Sequence, residues 1–267
     1  MTGIPRGHKI FFGVICAAAL LVAVLGYFVP TELAAITSWL VLPPLHARFV
    51  GALYFYGAAL MVGCMMARCQ AEVRFTLPMI SIWTGLLLVV SVLSISAFDF
   101  SRLPVRIWFA SYLIYPLIAL VLAWQQRARV KDDLPGPPLP SWARDFMLSQ
   151  GAVVGVFALA LILLPDLMVA VWPWKITPLL AQTYGGPLLA YGVGSWLFGR
   201  RRTWVGVRAV VPAMFVFTAG VLLASLLHRE LFSIGDVADW VWFIAFSVAT
   251  VLLGLMTSRV LQVGRTG

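Results

Sequence analysis

The chain has 267 residues, of which 62% are hydrophobic and only 11% are charged, and its mean hydropathy is +0.97. This composition excludes a soluble globular protein, because too little polar surface is available to cover one. The net charge of +9 does not call for a nucleic-acid partner, since a membrane protein concentrates its basic residues on the cytoplasmic side.

Eight apolar segments are long enough to cross a bilayer as helices, which takes roughly 20 residues for about 30 Å of hydrocarbon. No segment shows the alternation of polar and apolar residues that a barrel strand would require, so helices are the predicted spanning elements. The predicted fold class is therefore an all-α membrane protein with eight transmembrane helices. These lie near residues 10–29, 49–67, 76–97, 106–124, 147–165, 181–199, 207–227 and 237–257.

An internal repeat organises these segments. "PPLHARFVGAL" at 43–53 resembles "TPLLAQTYGGP" at 177–187, and a shift of 134 residues aligns further pairs in the same order. Near Pro30 and Pro165 the shift becomes 135 residues. Paired prolines, glycines and tryptophans are difficult to align by chance, so the pattern indicates a tandem duplication. The aligned pairs include Pro44 and Pro178, Gly51 and Gly185, Arg74 and Arg208, Thr84 and Thr218, Ser91 and Ser225, Trp108 and Trp242, and Trp39 and Trp174.

The duplication predicts the domain organisation. Residues 1–124 form the first four-helix repeat, residues 125–145 form a cytoplasmic proline-rich linker, and residues 146–267 form the second repeat. Each repeat has an even number of spans, so the two are parallel and related by a pseudo-twofold axis along the membrane normal. Prolines in the linker oppose regular helix and favour an extended chain.

Orientation follows from the basic residues. With the N-terminus inside, fourteen of the 19 Lys and Arg residues lie on the inner side. This positive-inside bias predicts an inner-membrane protein with both termini in the cytoplasm. The bilayer is the predicted partner, with anionic headgroups on the cytoplasmic side; a protein partner or a homo-oligomer is also compatible with the sequence.

Two local patterns concern helix packing. Pro30 and Pro165 each follow a span and precede an apolar stretch with a tryptophan, which predicts either a short interfacial helix or a kinked extension of the span. "GAVVG" at 151–155 predicts a close helix contact in the second repeat. The first span has no such motif, so the two halves are not expected to be equivalent there.

The candidate substrate path is polar and uncharged. Thr84 and Thr218 occupy equivalent depths, and Ser91 and Ser225 follow two helical turns later on the same faces. These hydroxyls could line a path shared by both halves or could bond to their own helix carbonyls. Trp108 and Trp242 are assigned to the same region, with the alternative that they belong to the interfacial aromatic belts.

A polar cluster is predicted at the outer face. His228, Glu230 and Asp239 follow one another closely in the second half, and Asp99 is the nearest acid in the first. Histidine beside carboxylates can bind a proton or a cation, or act as a base. The alternative is an interfacial histidine among solvated acids.

Five arginines are predicted to contact lipid headgroups on the cytoplasmic side. No motif for hydrolytic, nucleotide-binding, haem or metallopeptidase chemistry is present. No catalytic residue, metal site or cofactor is assigned. The headgroup arginines are Arg74, Arg208, Arg200, Arg201 and Arg202.

The pattern resembles a loosely defined group of uncharacterised bacterial multi-pass membrane proteins, a resemblance that implies a helical membrane fold and no named activity. The first half has Ser94 where the second has His228, a departure from the group's pattern. The likeness rests on Trp39, Pro43, Pro44, Ala47, Gly51, Tyr54, Thr84, Phe98 and Trp108, and on Trp174, Thr177, Pro178, Ala181, Gly185, Thr218, His228, Phe232 and Trp242.

Three functional hypotheses follow. The first is a permease-like protein that moves a small solute or ion along the interface between the repeats. The second is a non-catalytic membrane scaffold or accessory subunit in which the repeated motifs serve packing. The third is a membrane enzyme with an outward-facing site near His228.

Overall fold

A computed structural model describes residues 3–37, 44–127, 136–233 and 235–266. The described residues form ten α-helices, four short 3-10 turns and an isolated bridge, so the predicted all-helical fold is confirmed. The α-helices are α1 (Arg6–Phe28), α2 (Pro30–Ile36), α3 (Pro44–Met66), α4 (Thr76–Leu93), α5 (Leu103–Arg127), α6 (Ser141–Leu163), α7 (Pro165–Val171), α8 (Pro178–Gly199), α9 (Val211–Leu227) and α10 (Val237–Thr266).

Six of these helices, α1, α3, α4, α5, α6 and α10, are long and apolar enough to cross a membrane. They coincide with six of the eight predicted spans. The predicted spans at 181–199 and 207–227 fall on α8 and α9; α9 is apolar but has only 17 residues. We call the end of the bundle that carries α2, α7 and His228 the outer end, following the predicted orientation, and the opposite end the cytoplasmic end.

The short helices α2 and α7 begin in the same way. Val29 has φ −130° and ψ 61°, and Leu164 has φ −128° and ψ 52°, so a single non-helical residue separates each from the preceding helix. The cause is the following proline, whose ring disfavours helical backbone at the residue before it. Each proline then occupies the first helical turn. The two elements are therefore separate short helices, while Trp39 lies outside the described residues.

The helix contacts correspond between the two halves. Within the first half α1 packs against α3 and α4 against α5; within the second, α6 packs against α8 and α9 against α10. Across the halves α3 packs against α9, and α8 packs against α4. Helices α3, α4, α8 and α9 therefore form the centre, with α1, α5, α6 and α10 around them.

Glycines set the spacing of α1 and α3. A Cβ on Gly26 would lie 2.7 Å from the carbonyl oxygen of Ala47, and a Cβ on Gly51 would lie 2.7 Å from the backbone nitrogen of Tyr27. Backbones this close leave no space for a side chain. The first half thus has a helix contact mediated by glycines. The sequence analysis did not predict this contact, because α1 has no small-xxx-small motif.

The predicted contact through "GAVVG" is confirmed, but its two glycines differ in the space available to a side chain. A Cβ on Gly151 would lie 2.6 Å from the backbone nitrogen of Trp196 and 2.8 Å from the carbonyl oxygen of Gly192 on α8. A Cβ on Gly155 would meet nothing within 4 Å. Only the first position requires glycine for steric reasons.

This difference gives a test on one helix. We expect Gly151→Val to force α6 away from α8 and to lower the free energy of unfolding by about 3 kcal/mol, the upper range for overpacking. Gly155→Ala should change it little. Thermal denaturation of the purified variants in detergent measures both. Equal melting temperatures for Gly151→Val and the wild type would contradict the close contact.

Part of the predicted linker is paired with the second half. The backbone N–H of Leu139 donates to the carbonyl of Arg202 at 2.8 Å, and the N–H of Trp204 donates to the carbonyl of Pro137 at 3.0 Å. Residues 128–135, in the middle of the predicted linker, lie outside the described residues. The C-terminal end of the linker is thereby fixed to the loop between α8 and α9.

Candidate functional site: an apolar cavity in the first half

A cavity of about 410 Å³ lies among α1, α3, α4 and α5, with α2 at its outer end and α8 along one side. The volume falls within the range of roughly 300–1,000 Å³ that is common for small-molecule pockets. Leu21 on α1 and Leu103 and Ile107 on α5 line it and are 63%, 62% and 56% exposed. The cavity therefore opens sideways between α1 and α5, towards the surface where lipid would lie.

The threonines around the cavity bond to their own helices. The hydroxyl of Thr84 donates to the carbonyl of Ile80 at 2.6 Å, and the hydroxyl of Thr37 donates to the carbonyl of Leu33 at 2.7 Å. Thr183 bonds to a carbonyl of α8 in the same way. A hydroxyl satisfied by its own helix presents mainly its methyl group and carbon atoms to a ligand.

Aromatic side chains complete the wall. The Tyr54 and Tyr112 hydroxyls hydrogen bond to each other, and Trp108 Nε1 donates to Ser91 Oγ at 2.9 Å. The Tyr56 hydroxyl is buried with no hydrogen-bond partner among the described residues, and its ring lies 5.3 Å from that of Tyr191. Most polar groups of the wall are thus satisfied internally, and the space they enclose suits hydrocarbon.

Trp172 occupies the corresponding space in the second half. Its ring centroid lies 5.8 Å from that of Phe157, 5.4 Å from Tyr184, 5.5 Å from Trp242 and 5.9 Å from Phe49. In the repeat alignment, the positions equivalent to Phe157, Tyr184, Trp242 and Phe49 are Val22, Val50, Trp108 and Thr183. All four of these residues line the cavity. The counterpart of Trp172 itself is Thr37. One indole therefore fills, in the second half, the space that stays open in the first.

The six predicted path residues divide into two groups. Thr84 and Trp108 line the cavity, whereas Ser91, Thr218, Ser225 and Trp242 are not part of its wall. Ser225 Oγ donates to the Val221 carbonyl at 2.9 Å and accepts from Trp242 Nε1 at 3.0 Å, repeating the bond between Trp108 and Ser91. Thr218 Oγ1 donates to the Phe215 carbonyl at 3.3 Å. The symmetric pairs thus stabilise equivalent helix contacts in the two halves.

The centre between the halves is packed with aromatic rings. The Tyr184 hydroxyl hydrogen bonds to His46 Nδ1, and the Tyr184 ring lies 4.6 Å from that of Phe49 in an edge-on arrangement. His46, Phe49 and Tyr184 are each 1% exposed or less. Among the described residues the cavity therefore lies beside the interface of the two halves and not along it.

The predicted outer cluster is only partly assembled. His228 Nδ1 lies 3.2 Å from Glu230 Oε1, and His228 Nε2 bonds to the guanidinium of Arg48 from the other half. Bonds from its own backbone N–H and from His228 lower the pKa of Glu230. Asp239 instead accepts from the backbone N–H of Ser233, and Asp99 from that of Ser101 at 2.9 Å. The sequence analysis missed Arg48, which lies 180 residues from His228.

The predicted headgroup arginines occupy several environments at the cytoplasmic end. Arg208 Nη2 donates to Glu72 Oε2 at 2.7 Å across the two halves, and Glu72 is 2% exposed. Arg201 is buried and donates to the carbonyl of Ala71 at 3.0 Å. Arg74 lies over the ring of Phe75 at 5.8 Å, and Arg200 lies over that of Trp196 at 4.8 Å. The fifth, Arg202, is exposed and accepts the backbone bond from Leu139 through its carbonyl.

Sequence reasoning missed most of the cavity wall. Tyr54, Trp83, Tyr112 and Tyr115 come from three helices, and their spacing along the chain gives no pattern. One signal was available, since the repeat alignment places Thr37 opposite Trp172. A difference of that size at equivalent positions indicates different packing in the two halves.

Comparison of the chain with protein-family models, with curated proteins and with solved structures finds no match.

Proposed function

We propose that the protein is a permease-like protein of the bacterial inner membrane that takes a small, mainly apolar molecule from the bilayer into the cavity of its first half. The proposal includes eight transmembrane helices in two parallel four-helix repeats, with α8 and α9 as the sixth and seventh spans and both termini cytoplasmic. The observation that carries the function is the 410 Å³ cavity that opens sideways between α1 and α5.

The corresponding helix contacts in the two halves support the repeat. Each pair in the first half has an equivalent in the second, and α3 with α9 corresponds to α8 with α4. The bonds from Trp108 to Ser91 and from Trp242 to Ser225 also correspond, at 2.9 and 3.0 Å. Such exchange of partners is what a pseudo-twofold axis between parallel repeats would produce.

The wall of the cavity supports an apolar molecule over an ion. An ion in the membrane requires charged or carbonyl ligands, whereas here the threonine hydroxyls bond to their own helices and two tyrosine hydroxyls bond to each other. Entry from the bilayer also avoids the need for a water-filled path through the packed aromatic centre. The permease hypothesis is therefore retained with an apolar solute and a path through the first half.

A photoreactive long-chain alcohol tests binding to the protein in nanodiscs of zwitterionic lipid. We expect saturable labelling of the peptides that carry Tyr54, Trp83 and Tyr112 in the wild type. Thr37→Trp introduces the side chain that fills the second half, and we expect it to reduce this labelling at least tenfold. Mass spectrometry of the labelled peptides measures the change.

A second substitution tests the same cavity in case the Thr37→Trp variant does not fold. Ser111→Trp places an indole on α5 at the cavity wall, while Ala245→Trp alters the equivalent, exposed position of α10. Labelling should fall in Ser111→Trp and persist in Ala245→Trp. Undiminished labelling in folded Thr37→Trp and Ser111→Trp would rule out the cavity as the binding site.

The scaffold hypothesis remains the second candidate, because the centre between the halves is filled by packed aromatic rings. Proteoliposomes distinguish the two functions. Faster transfer of the alcohol between leaflets in the wild type than in Thr37→Trp would support a permease. Binding without faster transfer would contradict the permease and favour the scaffold.

A further inference from the structure

We infer that the molecule taken up by the cavity is an anionic amphiphile, whose acidic headgroup binds Arg102 and Arg106 while its hydrocarbon chain enters between α1 and α5. The inference rests on the proposed function and adds a charge to the ligand. The probe class that represents it is a long-chain alkyl phosphate.

Arg102 lies at the outer end of the cavity. Its Nη2 donates to the carbonyl of Ala35 at 2.7 Å, which joins the start of α5 to α2. Leu33 and Ile36 on α2 and Leu103 on α5 line the outer end of the cavity on either side of this bond. The guanidinium therefore joins α5, which borders the opening, to α2 at the outer end of the cavity.

Arg106 follows one helical turn later. Arg102 immediately precedes the first residue of α5, and the backbone N–H of Arg106 donates to the Arg102 carbonyl at 3.4 Å. The two arginines therefore lie one turn apart at the start of α5, and each is followed in the chain by a residue of the wall, Leu103 or Ile107. Arg106 Nη2 donates to the carbonyl of Ser101 at 2.8 Å. A guanidinium has five N–H donors, and each of these bonds uses one nitrogen, so both planar groups keep donors that can bind two oxygens of a phosphate.

The acidic neighbour is Asp99, which is exposed on the same loop. Its carboxylate accepts from Ser101, and that bond, with Arg102 nearby, lowers its pKa. Asp99 is therefore ionised at neutral pH and offsets one of the two positive charges. Glu32 on α2 is a second acidic residue at this end. With Arg48 counted, the three basic residues of the outer side exceed the two acidic ones, so an anion at the opening meets net positive charge.

The second half provides the internal comparison. The counterparts of Arg102 and Arg106 are Asp236 and Trp240. The half whose space is filled by Trp172 thus lacks the two arginines, and the half with the open cavity carries them. At the outer side the first half has three basic residues and two acidic ones, namely Arg48, Arg102 and Arg106 with Glu32 and Asp99. The second half has two basic residues and four acidic ones, namely Lys175 and Arg229 with Asp166, Glu230, Asp236 and Asp239.

The wall of the cavity is long enough for a hydrocarbon chain. Its wall on α5 extends from Leu103 to Tyr115, which is about 18 Å at 1.5 Å per residue. Its wall on α1 extends from Ile15 to Leu25, about 15 Å by the same measure. The opening along these helices lets a chain enter from the side while its headgroup stays at the outer surface.

The test compares a photoreactive alkyl phosphate with the alcohol of the same chain length, in nanodiscs of zwitterionic lipid. We expect the phosphate to label the cavity wall at a concentration at least tenfold lower than the alcohol. Arg102→Gln with Arg106→Gln should abolish this difference, so that the phosphate and the alcohol label the double variant at similar concentrations. Asp236→Asn, at the counterpart of Arg102, should keep the difference.

The outcomes separate this inference from the proposed function. Equal labelling by phosphate and alcohol, or a preference that survives the double substitution, overturns the anionic ligand while the cavity remains a binding site for the alcohol. Displacement by inorganic phosphate as effective as by the alkyl phosphate also overturns it, because the chain would then be irrelevant. If phosphatidic acid displaces the alkyl phosphate, the headgroup comes from a diacyl lipid. If phosphatidic acid does not displace it, the ligand is a single-chain amphiphile. Either result supports the inference.

Discussion

Trp172→Thr is expected to lower the free energy of unfolding by about 3–5 kcal/mol, the range for removing a large aromatic side chain from a packed core. Trp172 is 6% exposed and contacts the rings of Phe49, Phe157, Tyr184 and Trp242. Threonine is the residue of the first half at this position, so the variant should also open a second apolar cavity. Thermal denaturation in detergent measures the first effect.

Labelling by the photoreactive alcohol measures the second effect. We expect new labelling of peptides from α6 and α10 in Trp172→Thr, in addition to that of the first half. Trp124→Thr is the control, because Trp124 is 63% exposed on α5 and its removal leaves no internal space. A folded Trp172→Thr variant with unchanged stability and no new labelling would show that this tryptophan does not fill an equivalent site.

Arg208→Met is expected to lower the free energy of unfolding by about 3 kcal/mol. This value is the lower end of the range for removing one partner of a buried ion pair. The lower end applies because Arg208 is 21% exposed. The substitution leaves the carboxylate of Glu72 buried without its cation. The backbone N–H of Arg68 at 3.0 Å and the thiol of Cys69 at 3.7 Å would then be its remaining partners. Melting temperature in detergent measures the loss.

A double-mutant cycle isolates the ion pair from other effects. Glu72→Gln removes the buried charge, so Glu72→Gln with Arg208→Met should lose less stability than the two single changes added together. Arg200→Met is the control at the same end, because the Arg200 guanidinium lies over the ring of Trp196, which is 42% exposed, and we expect its removal to change stability little. Additive losses in the cycle would contradict an energetic link between the halves at this end.

The sequence predicted the helical fold and the packing role of "GAVVG". Two of the six path residues, Thr84 and Trp108, line a cavity that the sequence analysis did not predict. Helix prediction succeeds in such a chain because backbone groups in lipid must bond within their own segment. The site was harder to predict, because Tyr54 and Tyr112 lie 58 residues apart and meet only when α3 and α5 come together in the tertiary structure. The contact of Gly26 with Ala47 was missed for a related reason, since a single glycine suffices where two backbones already cross closely.

By itself the sequence determined that the chain is a helical membrane protein, because hydropathy is a property of the linear chain. The tandem repeat stays a prediction that rests on the order of the paired residues. Only the tertiary structure decided that the halves differ in packing, with a cavity open in the first and Trp172 filling the equivalent space in the second. The physical reason is that an internal volume is what remains after side chains from five or six helices have packed, and no single segment determines it.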